Sequence, residues 1–70
     1  MARYINTREY ELANGGKKPR GFGHWAFTTN SLKEKEVFFI QGNFSEAKRK
    51  AETECNRRNL PKWDTIIVLP

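Results

Sequence analysis

Apolar and aromatic residues concentrate in two dense runs, residues 22–27 (FGHWAF) and 37–40 (VFFI). Successive side chains of an extended chain point to opposite faces. Gly23, Trp25 and Phe27 therefore fall on one side, and Phe22, His24, Ala26 and Thr28 on the other. In the second run Val37 and Phe39 likewise fall on one face and Phe38 and Ile40 on the other. A polar connection, residues 30–35, opens with the turn residues Asn30-Ser31 and joins the two runs. This pattern predicts an antiparallel pair of strands. Aromatic residues on both faces imply that one face is covered by a helix. The other either packs on the N-terminal segment or stays partly exposed as a binding surface.

After Gly42-Asn43-Phe44-Ser45 the period changes. Ala47, Ala51 and Cys55 recur every four residues in an otherwise charged segment, which predicts a helix over 45–59 with a narrow stripe of small side chains against the sheet. Ser45 is the expected N-cap, with Glu46 near the positive end of the helix dipole and Arg57 and Arg58 near the negative end. Pro61 disfavours continuation of the helix through Leu60. Residues 63–69 contain the run Thr65-Ile66-Ile67-Val68 and read as a final strand, apolar on both faces and so inserted or covered.

Residues 1–14 carry two signals. Tyr4, Tyr10 and Leu12 sit at even positions, as in a strand, while Asn6 followed by Glu9 resembles a capping box and Asn14-Gly15 a helix stop. A strand at about 3–5 followed by a helical turn over 7–13 satisfies both. Residues 15–21, GGKKPRG, read as a flexible basic loop. The expected fold is α+β: a small antiparallel sheet with one helix packed on one face, in the order β-β-α-β. It forms a single domain over 1–70, with 1–16 as an N-terminal extension and 17–70 as the sheet-plus-helix core.

Composition narrows the functional classes. Seventy residues allow one thin core, which rarely supplies more than about 3–5 kcal/mol of net stability. A single cysteine and a single histidine suggest neither an intramolecular disulfide nor a four-ligand zinc site, and a lone thiol suits the reducing cytoplasm. The polar start, MARYINTREYE, predicts no signal peptide, and the longest apolar runs, four residues each, are too short for a bilayer. No membrane partner, cofactor or small-molecule substrate is expected. His24 has no Ser, Cys or carboxylate near it in sequence to complete a nucleophilic arrangement, and Cys55 falls in the small apolar stripe. Gly21-Phe22-Gly23 lacks the third glycine of a dinucleotide loop, and Glu34 and Glu36 sit among lysines as a solvated pair. No enzyme is expected. The formal charge of +5 suits a polyanionic partner.

The runs Gly23-His24-Trp25-Ala26, Glu36-Val37-Phe38-Phe39 and Gly42-Asn43-Phe44, the helix with Ala47 and Ala51, and the close Ile67-Val68-Leu69-Pro70 together resemble one family. This is the plant ethylene-response-factor type of DNA-binding domain, with the related arm-binding domains of phage integrases. The resemblance covers roughly residues 17–70. It implies duplex DNA read in the major groove by a sheet, with Arg20 and Trp25 at matching positions. Glu36 stands where that family favours a cation, and Gln41 adds a residue before the glycine.

Two classes of binding module follow. The first binds nucleic acid, with Lys17, Lys18 and Arg20 on phosphate and His24 and Trp25 on the sheet face. The second is a small phage- or mobile-element-encoded inhibitor that blocks a host enzyme or nucleoprotein complex through an aromatic sheet face. Most cations lie on the helix and loop, not on the strands, which weighs against groove reading; charge and resemblance together place nucleic acid first.

Overall fold

A computed structural model describes residues 3–31 and 36–70. Six elements follow in order: β1 (Ile5–Asn6), α1 (Arg8–Ala13), β2 (Phe22–Thr29), β3 (Phe38–Asn43), α2 (Phe44–Arg57) and β4 (Ile66–Val68). The strands form one four-stranded sheet in the order β1-β4-β2-β3. β2 pairs antiparallel with β3, Trp25 opposite Ile40 and Phe27 opposite Phe38. On its other edge β2 pairs antiparallel with β4, Phe27 opposite Val68. β1 runs parallel to β4, with Ile5 opposite Ile66. The fold is α+β, and part of the expected connection, residues 32–35, lies outside the described residues.

Two expectations are corrected. The sheet is mixed, not antiparallel. The segment expected as an extension supplies an edge strand and a helix, so the order reads β-α-β-β-α-β and not β-β-α-β. The cause lies in β4. Its apolar residues belong in the middle of a sheet, and the N-terminal segment provides the second ladder, beginning with the Ile66 N–H donated to the Tyr4 carbonyl at 2.9 Å.

The odd positions of β2 and the even positions of β3 and β4 meet α2. Phe27, Ile66 and Val68 are fully buried, as are Ala47, Ala51 and Cys55 of the helix stripe. Burying each large side chain contributes roughly 1.5–3 kcal/mol relative to exposure. The small stripe lets the helix approach until Phe44 reaches Trp25 edge-on at 4.9 Å and lies against Phe27 at 6.4 Å between ring centroids.

The ends of α2 differ from the sequence reading. The helix starts at Phe44, one residue early, after Asn43, which makes no side-chain cap; Ser45 lies inside it. The Phe44 N–H is satisfied instead by the Gly21 carbonyl at 2.9 Å. Gly42 reaches φ 142 where β3 turns into the helix, a conformation that favours glycine. At the other end Asn59 adopts φ 59, and the Leu60 N–H returns to the Cys55 carbonyl at 3.0 Å, closing a Schellman motif. β4 is shorter than expected, because residues 61–63 turn before it and leave Trp63 80 % exposed.

Two buried polar residues hold the periphery. Arg3 spends its guanidinium on the Pro61 carbonyl (3.0 Å), the Leu60 carbonyl (2.6 Å), Asn56 Oδ1 (2.9 Å) and Glu52 Oε2 (3.0 Å), joining β1 to the end of α2. Asp64, 1 % exposed, accepts the Ser31 N–H at 3.0 Å and the Thr65 N–H at 2.9 Å, which fixes the start of the turn after β2.

Candidate nucleic-acid interface

Strand alternation decides what the sheet offers on the side away from α2. The cross-strand register places Phe22 opposite Asn43, His24 opposite Gln41, and Ala26 opposite Phe39. Ile67 lies beside Thr28 on the same side, and Asn6 beside Ile67. His24 and Gln41 are exposed, and Phe22 and Phe39 are 68 % and 76 % exposed. Residues two apart on a strand, and diagonal neighbours across a pair, have Cα atoms about 7 Å apart. Phe22, His24 and Phe39 therefore form a diagonal row of rings, flanked by the amides of Gln41 and Asn43.

The basic loop joins β2 at Phe22, beside the start of α2. Lys17, Lys18 and Arg20 are exposed and together line one shallow recess. Pro19 between them is buried, while the three cations face solvent. Arg20 also shares a recess with Lys48 at the start of α2, and the Lys48 ammonium sits 5.7 Å from the Phe44 ring centroid. The first turn of the helix carries one acid, Glu46. Positive charge thus gathers where β2 begins and β3 ends. The strand positions of the open face carry no Lys or Arg among the described residues.

Four of the five expected site residues, Lys17, Lys18, Arg20 and His24, are exposed. Trp25 is not on that surface. It is 6 % exposed on the helix side, its indole N–H donates to the Gly42 carbonyl at 2.9 Å, and its ring packs 5.7 Å from Tyr10. Adjacent strand residues face opposite ways, so His24 and Trp25 cannot share a surface. The residues missing from the expected site are Phe22, Phe39 and Gln41. The same alternation that predicts the strands already puts Phe22 with His24.

The helix cations are partly committed elsewhere. Glu54 accepts the Arg57 guanidinium at 2.6 Å and the Arg58 Nε–H at 2.6 Å; hydrogen bonding to Arg57 and then Arg58 lowers its pKa to about 2. Arg58 also lies 5.3 Å over the Phe38 ring, a packing role consistent with the helix-end reading. On the other side of the sheet, burial pushes the Cys55 thiol above its ordinary pKa, and the exposed His24 faces away from it. Among the described residues no group of three His, Cys, Asp or Glu side chains is placed to hold a metal ion. No described helix is long and apolar enough to cross a membrane.

Comparison of the chain with protein-family models, curated proteins and solved structures gives no match.

Proposed function

We propose that this protein is a non-catalytic nucleic-acid-binding module, and that the open sheet face and the Lys17-Lys18-Arg20 loop form its contact surface. One observation carries the reading: the exposed basic loop leads directly into the strand that displays Phe22 and His24. Cations beside exposed rings suit a polyanion whose bases have flat apolar faces, with phosphate contacts giving affinity and the rings giving base contacts. The test is anisotropy of a labelled oligonucleotide across a salt series. Replacing Lys17, Lys18 and Arg20 with Ala is expected to weaken binding for every sequence. On duplex DNA the log–log salt slope should fall by about 0.9 for each phosphate that the protein no longer neutralises. Absence of binding at low salt to any nucleic acid would overturn the reading.

A second reading, a small inhibitor that docks on a host protein, draws support from the exposure of Tyr4, Leu12, Phe22, Phe39 and Trp63, each at least 68 % accessible. Such a complex would depend on a few buried aromatic anchors and vary little with ionic strength. A tight protein complex combined with no nucleic-acid retardation would favour it.

A further inference from the structure

Resting on the nucleic-acid reading above, we infer that the ligand is single-stranded nucleic acid, with unpaired bases stacked on the Phe22, His24 and Phe39 diagonal. Three observations carry this. First, the rings are exposed on one face, at 68 % for Phe22 and 76 % for Phe39, and the register sets them along a diagonal where successive bases can each meet one. The face of a base is accessible to a ring only when that base is unpaired and unstacked from its neighbour.

Second, the charge lies in the wrong place for a duplex and in the right place for a strand. A duplex laid on the sheet brings two phosphate backbones across it, and the strand positions of the open face offer no cation among the described residues. A single strand brings one backbone. That backbone can run along the side of the platform and meet Lys17, Lys18 and Arg20 where the loop joins β2, while its bases turn inward over the rings.

Third, the groups interleaved with the rings are neutral donors and acceptors. Gln41 sits opposite His24, and Asn43 opposite Phe22. Each amide can donate to and accept from a base edge that pairing would otherwise occupy.

The test compares one labelled 20-nucleotide DNA strand of mixed sequence, alone and annealed to its complement, at about 0.15 M salt. The single strand is expected to bind at least tenfold tighter than the duplex. Phe22→Ala and Phe39→Ala should each weaken single-strand binding by roughly 5- to 160-fold, the range for removal of one base–aromatic stack. Phe39→Tyr should restore most of that affinity, because it keeps the ring. Far-UV circular dichroism of each variant checks that the fold is retained. Equal or tighter duplex binding would overturn the single-strand assignment while leaving nucleic-acid binding intact. So would single-strand binding that is indifferent to both phenylalanines. Failure of strand and duplex alike would overturn the nucleic-acid reading itself.

Discussion

Phe38 and Phe39 are neighbours in the chain and opposites in the molecule. Phe38 is 8 % exposed and stacks on Phe27 at 5.8 Å under α2; Phe39 is 76 % exposed on the other side of the same strand. The two faces of this sheet draw on the same residue types for different ends. The covered face is closed by a helix whose alanine stripe lets it sit close, and its aromatic residues stabilise the fold. The open face keeps its rings in solvent, where they contribute little to folding and remain available to a partner. Residue type alone does not separate the two roles; position parity and the location of the helix do.

Substitutions that treat the faces differently are the sharpest way to break this contrast. Phe27→Ala is expected to cost about 3–5 kcal/mol, the range for a buried phenylalanine. In a domain with so thin a core that cost would leave the chain largely unfolded by circular dichroism at 25 °C. Arg3→Ala follows at about 3 kcal/mol in urea denaturation, because it strands Glu52 and leaves the Leu60 and Pro61 carbonyls without their donor; the partial exposure of Glu52 keeps the effect at the low end. Ala51→Leu should destabilise by about 1–3 kcal/mol by forcing α2 off the sheet, and unchanged melting would show that the stripe does not face the core.

A pH titration probes the rim of the covered face. Desolvation alone would raise the pKa of Asp64, but hydrogen bonds from Ser31 and Thr29, with backbone donors, outweigh it and lower the value. A carboxyl with a depressed folded-state pKa contributes stability that is present above its unfolded value of about 3.9 and is lost as pH falls through the folded one. Melting temperature should therefore drop on acidification below about pH 4, and Asp64→Asn should flatten that limb; an unchanged limb would remove Asp64 from the account. The smallest effect belongs to the open face. Phe39→Ala is expected to shift stability by no more than about 0.5 kcal/mol, and an effect comparable to Phe27→Ala would mean that the ring is structural.

Much of this was legible in the chain. The two short apolar-aromatic runs bounded by turn residues identify β2 and β3, and the four-residue recurrence of Ala47, Ala51 and Cys55 identifies the buried stripe of α2. The strand and helix expected near residues 3–13 appear as β1 and α1, close to those limits. What no local pattern announces is that β1 is paired. A two-residue strand has no periodicity, and its placement depends on Arg3, which in sequence resembles any surface cation. Trp25 is the instructive error in the site. Its parity sets it on the face opposite His24, whereas the resemblance to a groove-reading family assigns it to the ligand. The indole N–H bonded to Gly42 shows which argument to prefer.

The parallel ladder between β1 and β4 gives the molecule a particular assembly schedule. The hydrogen bonds of Arg3 reach residues 57 and 58 positions away, and β4, which lies between β1 and β2, follows the other three described strands in the chain. During synthesis the hairpin and α2 can form early from near neighbours, while the N-terminal strand has no edge to pair with until residues 66–68 leave the ribosome. Bringing such distant segments together is the slow part of folding for a small domain. Until then β2 presents an unpaired edge beside exposed apolar residues, which makes the nascent chain, more than the finished one, the form most prone to associate with itself.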